Sequence, residues 1–162
     1  MKYETIFIKE KLSQIGVSLD DVSLGDFQEI GEFTARKRRD PVSDLWKKVG
    51  SRFSPNLERG ILIYELIKKH KLTSYLEIGF GRGYSALCAA KAFQDLGNGG
   101  EVMVVEPYID DDHMNMISKM FPEQWLNRLQ VAKGTSAEVL PKLQSKFDLI
   151  YIDGDHTKEA VK

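Results

Sequence analysis

One short segment constrains the fold of this chain more than any other: three glycines alternate with other residues directly after a short apolar run. The glycines are Gly79, Gly81 and Gly83, the run ahead of them is 75–78, and residues 84–93 behind them have helical composition. Glycine permits positive φ and leaves room for a ligand beside the main chain. The pattern predicts a strand, a ligand-binding loop and a helix, with a turn that binds no ligand as the alternative.

The spacing of these glycines argues against a dinucleotide. The dinucleotide-binding pattern is G-x-G-x-x-G, with the pyrophosphate at the start of the following helix, whereas the glycines here follow G-x-G-x-G. Glu77 lies two positions before the first glycine. Its carboxylate would repel a pyrophosphate and attract a ligand that carries an ammonium group. The charge therefore favours a ligand with an ammonium group, such as a nucleoside that bears an amino acid, over NAD.

The segments after the loop continue to alternate between strand and helix. Further strands are predicted at 102–105, 129–132 and 147–152, and helices at 112–120 and 136–143. This alternation is typical of a parallel sheet with right-handed crossovers. Ahead of the first strand, Ser54 and Pro55 suit the start of a longer helix. We divide the chain into an N-terminal segment of short helices, 1–53, and an α/β domain, 54–162.

Composition narrows the environment and the partners of the chain. The 162 residues carry a formal net charge of −1, which gives no general attraction to nucleic acid or to an anionic membrane. The basic run 36–39 predicts a solvated helix end, with a phosphate-binding patch as the alternative. The N-terminus lacks an apolar signal core, and no stretch is apolar enough to span a bilayer. We predict a cytoplasmic protein whose single cysteine, Cys88, is buried among apolar residues.

The glycine loop resembles a known motif. The pattern Glu77-x-Gly79-x-Gly81-x-Gly83 resembles motif I of the class I S-adenosylmethionine-dependent methyltransferases, and residues 83–86 are similar to those of the catechol-type small-molecule O-methyltransferases. The resemblance extends from about residue 54 to the end of the chain. It implies a Rossmann-like three-layer α/β sandwich and S-adenosylmethionine as cofactor. The loop residues that it assigns to cofactor binding are Glu77, Gly79, Phe80, Gly81, Gly83, Tyr84 and Ser85.

Residues after the second and third strands extend the predicted cofactor site. Glu106 follows the second strand, where a carboxylate can accept hydrogen bonds from both ribose hydroxyls. The resemblance gives Glu106 that role, places Pro107 beside it and lets Tyr108 cover the adenine. Ser136 stands where catechol-type members have a serine in contact with adenine. The alternatives are a surface position for Glu106 and a helix-cap role for Ser136.

A polar cluster follows the fourth strand: Asp153, Asp155 and His156. Ligands of parallel sheets bind beyond the carboxyl ends of the strands, and a hard cation takes carboxylate oxygens. The cluster resembles the metal-dependent and the macrolide or sugar O-methyltransferases. The resemblance implies that Asp153 is a catalytic metal ligand for Mg²⁺ or another divalent cation, and that His156 is the general base. It also makes Asp153 and Asp155 candidate cofactor-binding residues. Asp155 would contact the methionine part of the cofactor or orient His156. The alternative is a helix cap at Asp153 with an exposed His156.

The resemblance implies methyl transfer to an oxygen of a small-molecule acceptor. The alternatives are a non-catalytic cofactor-binding or oligomerisation module and, less favoured by the glycine spacing, an NAD-dependent oxidoreductase. The predicted strands are fewer than those of the family's sheet, and the family's other metal ligands follow a later strand. Because the fourth strand is apolar and would lie at an edge, we expect a truncated chain, a disordered remainder or a homodimer that covers this edge.

Overall fold

A computed structural model describes residues 8–18, 57–81, 83–118 and 121–154 of the chain. Four parallel strands form one sheet in the order β3-β2-β1-β4. The strands are β1 Ser74–Ile78, β2 Glu101–Val105, β3 Leu129–Ala132 and β4 Leu149–Ile152. The helices are α1 Ile8–Gln14, α2 Leu57–His70, α3 Tyr84–Leu96, α4 Asp111–Ser118, α5 Glu123–Leu126 and α6 Ser136–Val139, with a 3₁₀ turn Leu140–Lys142 after α6.

The strand order reverses direction between β1 and β4. The chain moves outward from β1 through β2 to β3 and then returns to the other side of β1 to form β4. Because crossovers between parallel strands are right-handed, the outward connections and the returning connection lie on opposite faces of the sheet. Ligands of such sheets bind at the point of reversal, beyond the carboxyl ends of the strands. The topology therefore points to the crevice between the ends of β1 and β4.

One face of the sheet and the helices against it form the core. The strand residues on this face include Tyr75, Val102 and Val104, all with no exposed surface. Ile61, Tyr64 and Ile67 pack against them from α2, as the apolar stripe of that helix predicts. On the opposite face of β4, Ile150 and Ile152 are 55% and 63% exposed.

The helix that follows the glycines packs closely because its side chains are small. Helix α3 contains four buried alanines and the buried Cys88, which confirms the prediction for this cysteine. Helices α2 and α3 approach each other closely at Gly60: a Cβ added there would lie 2.4 Å from the hydroxyl of Tyr84 and 2.8 Å from the sulfur of Cys88. Gly60 therefore sets the distance between the two helices, and with it the position of the first turn of α2.

Most predicted elements are confirmed, with small shifts at their ends. Strand β3 has the predicted bounds, and His70 is exposed at the end of α2 as expected. Strand β4 begins at Leu149 rather than at residue 147. The reason is Asp148, whose carboxylate accepts hydrogen bonds from the amides of Thr73 and Ser74 and so fixes the start of β4 beside the start of β1. Helix α5 was not predicted.

Part of the predicted organisation lies outside the described residues. The boundary between the N-terminal segment and the α/β domain, the basic run 36–39 and most of the predicted short helices fall within residues 19–56. Helix α1 contributes Leu12 and Ile15 to the core cluster that contains α2. None of the helices in the described part of the chain is long and apolar enough to cross a membrane.

We predict that Gly60→Ala destabilises the protein by about 1–3 kcal/mol, although alanine has the higher helix propensity. The added methyl group would force Tyr84 or Cys88 to move within a packed core. Chemical denaturation measures the effect. The control is Glu65→Ala on the same helix, where the side chain is partly exposed and the change should be small. A Gly60→Ala variant as stable as the wild type would contradict the predicted packing.

Candidate functional site

The glycine loop lies at the predicted crevice and is tied to its neighbours by main-chain hydrogen bonds. The amide of Gly79 donates to the carbonyl of Val105 at 2.9 Å, and the amide of Asp153 donates to the carbonyl of Ile78 at 2.9 Å. These bonds continue the pairing of β1 with β2 and with β4 beyond the ends of the strands. The loop after β1 is therefore held from both sides.

The three glycine positions of the loop differ in the contacts that a side chain would make there. All three have positive φ, at 92° for Gly79, 52° for Gly81 and 81° for Gly83. A Cβ on Gly79 would lie 2.6 Å from the Cα of Gly154, and one on Gly83 would lie 2.6 Å from the ring of Phe80. Around Gly81 no atom of the described residues other than its chain neighbours lies within 4 Å of the same position. Contacts inside the protein thus explain two glycines, and only Gly81 borders open space.

Glu106 lies where the sequence predicts, directly after β2, and it binds the glycine loop. Its carboxylate accepts a hydrogen bond from the amide of Phe80 at 2.9 Å through one oxygen and from the amide of Tyr108 at 2.9 Å through the other. The residue is buried, which excludes the alternative of an ordinary surface glutamate. Glu106 therefore joins the loop after β1 to the loop after β2. Pro107 lies between Glu106 and Tyr108 in the sequence, and the ring of Tyr108 is exposed.

Glu77 lies beneath the loop, and its carboxyl group is not exposed to solvent. It is 1% exposed and accepts a hydrogen bond from the hydroxyl of Tyr75 at 2.9 Å. Burial raises the pKa of Glu77 to about 8, against the opposing effects of the Tyr75 bond, the charge of Arg59 and a hydrogen bond with Ser85. Near neutral pH much of this group is therefore an uncharged carboxylic acid, whereas the sequence analysis treated it as a carboxylate.

Two other candidates from the loop are also buried. The side chain of Ser85 forms a hydrogen bond with Glu77, and the side chain of Tyr84 lies in the contact between α2 and α3. Their side chains support the loop from behind. A direct contact of either residue with a ligand would involve the main chain, so their assignment as cofactor-binding residues stays a prediction.

The start of α6 corrects one interpretation of the sequence. Thr135, not Ser136, is the N-cap: its hydroxyl accepts a hydrogen bond from the amide of Glu138, and the Glu138 carboxylate accepts one from the amide of Thr135. This reciprocal pair is a capping box. The alternative in which Ser136 caps the helix is wrong. The prediction that its hydroxyl contacts a ligand stays open.

Asp153 lies at the end of β4 and forms an ion pair that the sequence analysis missed. The guanidinium of Arg59, in the first turn of α2, donates to the Asp153 carboxylate at 3.1 Å and lies 5.5 Å from the centre of the Tyr151 ring. The two partners are 94 residues apart, so no local motif joins them. One signal was present: a cation in the first turn of a helix opposes the helix dipole and usually has a specific partner.

The rest of the predicted polar cluster is not covered by the structure. Asp155 and His156 lie outside the described residues. Within the described ranges no group of three or more histidine, cysteine, aspartate or glutamate side chains could hold a metal ion. Asp153 alone, already paired with Arg59, does not make a cation site. The roles of Asp153, Asp155 and His156 stay predictions.

We predict that Glu77→Gln changes how the stability of the protein depends on pH. Between the ordinary glutamate pKa of 4.5 and the raised value of about 8, the unfolded chain releases a proton that the folded protein keeps. The stability of the wild type therefore falls as pH rises through this window, relative to a variant that cannot ionise there. Between pH 5 and pH 8 the unfolding free energy of the wild type should fall by on the order of a few kcal/mol relative to that of Glu77→Gln.

Urea denaturation at several pH values measures this difference. The matched control is Glu101→Gln, which replaces an exposed glutamate at the start of β2 and should follow the wild type. If the Glu77→Gln and wild-type stabilities stay parallel across the window, Glu77 is not the buried acid described above.

Comparisons with known proteins agree with this architecture. Residues 76–162 match a family model described as "Methyltransferase domain". No curated protein sequence matches the chain.

Solved structures share the fold at low sequence identity. Cofactor-bound Rv0187 from MTB is 19% identical, with a TM-score of 0.58 over 94% of this chain and 63% of that one. The SAH-bound methyltransferase PaMTH1 from Podospora anserina is 20% identical, with a TM-score of 0.58 over 94% of this chain and 61% of that one. An O-methyltransferase from Bacillus cereus in complex with SAH is 21% identical, with a TM-score of 0.56 over 91% of this chain and 60% of that one.

The chain thus spans less than two thirds of the length of these three solved proteins. At such identities the similarity shows the fold, and it confirms the Rossmann-like parallel sheet with flanking helices. The family match covers more than half of the sequence. This chain belongs to the methyltransferase-domain family.

Proposed function

We propose that this chain binds S-adenosylmethionine beside the glycine loop and transfers its methyl group to an oxygen of a small-molecule acceptor. The observation that carries the proposal is Gly81, whose positive φ and open side lie at the point where the strand order of a methyltransferase domain reverses. The structures from Podospora anserina and Bacillus cereus, both bound to SAH, support the choice of ligand.

Glu106 is proposed to bind the ribose. Each carboxylate oxygen has two lone pairs, and each accepts one described main-chain hydrogen bond. The remaining lone pairs suit the two ribose hydroxyls. In this arrangement the Glu106 carboxylate binds both the loop and the ribose, so that the loop is ordered before the ligand binds.

The adenine is proposed to lie between the loops that follow β2 and β3. Pro107 and the exposed ring of Tyr108 come from the first loop, and Ser136 comes from the second. Since Thr135 caps α6, the Ser136 hydroxyl is not needed for the cap. Its chemistry suits a hydrogen bond to an adenine nitrogen.

The proposed chemistry is an in-line displacement at the methyl carbon. The acceptor oxygen forms a bond to this carbon while the carbon–sulfur bond breaks, and the sulfonium becomes a neutral thioether. The acceptor hydroxyl loses its proton to a general base, for which His156 is the candidate. Positioning the oxygen and removing its proton supply most of the acceleration.

A divalent cation is not used in this proposal. Asp153 is paired with Arg59, and the described residues form no group of three or more histidine, cysteine, aspartate or glutamate side chains that could hold a metal ion. A cation that lowers the pKa of the acceptor hydroxyl therefore stays a prediction from the resemblance, as do a cytoplasmic location and a homodimer through the edge of β4.

Calorimetry with S-adenosylhomocysteine and with NAD tests the proposal, followed by turnover measurements over several classes of hydroxylated acceptor. We expect binding of the first ligand, no binding of NAD, and methylation of at least one acceptor. Binding of S-adenosylhomocysteine without turnover across all acceptors would favour the non-catalytic module instead. Binding of NAD alone would overturn the proposal.

We predict that Gly81→Ala lowers the affinity for S-adenosylhomocysteine at least about tenfold, because the new methyl group occupies the open side of the loop. The positive φ adds a stability cost of about 1–2 kcal/mol. The matched control is Gly97→Ala, which has a similar φ of 61° and equally open surroundings but follows α3 at the other end of the sheet. Equal loss of affinity in both variants would contradict a ligand beside Gly81.

We predict that His156→Ala lowers kcat about 10²–10⁴-fold and leaves the affinity for S-adenosylhomocysteine nearly unchanged, since the base acts on the acceptor and not on the cofactor. The control is His70→Ala, which removes an exposed histidine at the end of α2. Steady-state turnover and calorimetry are compared for both. Unchanged turnover in His156→Ala would exclude it as the base.

A further inference from the structure

Four residues from three elements form a charged cluster directly beside the glycine loop. We define the arginine–carboxyl cluster as Arg59 of α2, Glu77 of β1, Tyr151 of β4 and Asp153. The Arg59 guanidinium is 3.1 Å from the Asp153 carboxylate and 5.5 Å from the centre of the Tyr151 ring. Tyr151 is the register partner of Glu77 across the two strands. The cluster therefore lies at the reversal of the sheet, on the face that is covered by α2.

The cluster touches the loop through the main chain. A Cβ on Gly79 would lie 2.7 Å from the carbonyl oxygen of Asp153. Gly79 therefore lies against Asp153, and Gly81 is only two positions further along the chain. A ligand at Gly81 would bind near the Arg59–Asp153 pair. The pair is only partly shielded from solvent, with side-chain exposures of 18% for Arg59 and 35% for Asp153.

The charges of the cluster are arranged as the complement of an amino-acid zwitterion. Burial holds the pKa of Glu77 at about 8, so near neutral pH the cluster presents chiefly one guanidinium and one carboxylate, that of Asp153. An α-amino acid carries an ammonium and a carboxylate on the same carbon. Such a group can bind an adjacent arginine–aspartate pair with both of its charges satisfied.

The position of Arg59 in α2 favours an anion at this place. Arg59 is the third residue of the helix. The positive end of the helix dipole favours anions, so a cation in this turn is disfavoured unless negative groups lie nearby. Asp153 supplies one such group, and a guanidinium with five N–H donors in a planar fork can bind more than one carboxylate.

We propose that Arg59 binds the carboxylate of the amino-acid end of S-adenosylmethionine. This inference rests on the proposed function and adds a residue outside the glycine motif to it.

The experiment compares two ligands by calorimetry. S-adenosylhomocysteine carries the amino-acid end, whereas 5′-methylthioadenosine shares the adenosine and the thioether and lacks both charged groups. We expect Arg59→Gln to weaken S-adenosylhomocysteine at least about tenfold, as for the loss of a charge-assisted hydrogen bond, and to leave 5′-methylthioadenosine unchanged.

Two further variants keep the test decisive. Arg59→Lys retains the charge and loses the planar fork, so it should give a smaller loss confined to S-adenosylhomocysteine, and it replaces Arg59→Gln if that variant does not fold. The matched control is Arg128→Gln, a partly buried arginine just before β3 that binds the Gln94 side chain and the Gly100 carbonyl. Arg128→Gln should leave the ratio of the two affinities unchanged.

Each outcome has one interpretation. Selective loss of S-adenosylhomocysteine binding in the Arg59 variants supports the inference. Equal loss for both ligands, or no loss, overturns it and leaves the proposed function intact if the wild type still binds both ligands. A wild type that binds neither ligand overturns the proposed function and the inference together.

Discussion

The site depends on one close approach of two main-chain segments, Gly79 after β1 and Gly154 after β4. The two segments are near enough that a Cβ on Gly79 would lie 2.6 Å from the other chain. This approach is a direct result of the sheet order, in which β4 lies next to β1 although β2 and β3 precede it along the chain. The hydrogen bonds from Gly79 to Val105 and from Asp153 to Ile78 then hold the loop at the reversal of the sheet.

Polar side chains extend this arrangement in two directions. On one side the Glu106 carboxylate joins the loops after β1 and β2 through the amides of Phe80 and Tyr108. On the other side Arg59 joins α2 to the end of β4 through Asp153. Because Glu106 is buried and a buried polar group without a partner is costly, its hydrogen bonds fix the loop before a ligand binds. In the proposed function these side chains position the sugar and the amino-acid end of a single cofactor.

Predictions from the sequence were least reliable where the role of a residue depended on its burial. Glu77 was interpreted as a carboxylate that faces the ligand, but it is fully buried beneath the loop and bonded to Tyr75, and its raised pKa keeps much of it protonated. The three glycines were assigned a common reason, yet only Gly81 borders open space. The spacing of the residues could predict neither the burial of Glu77 nor the different surroundings of the glycines, because desolvation and close approach are properties of the packed chain.

The sequence by itself determined the elements of the sheet, the position of the loop, the place of Glu106 after β2 and the methyltransferase family. The elements follow from periodicity and spacing within a few residues, which local backbone preferences and side-chain alternation encode, whereas the family followed from the resemblance of the glycine loop to a known motif. Only the tertiary structure decided that Arg59 pairs with Asp153, that Gly79 meets Gly154 and that Tyr84 and Ser85 are buried. Such contacts join residues far apart in the chain, and the order of the strands brings them together.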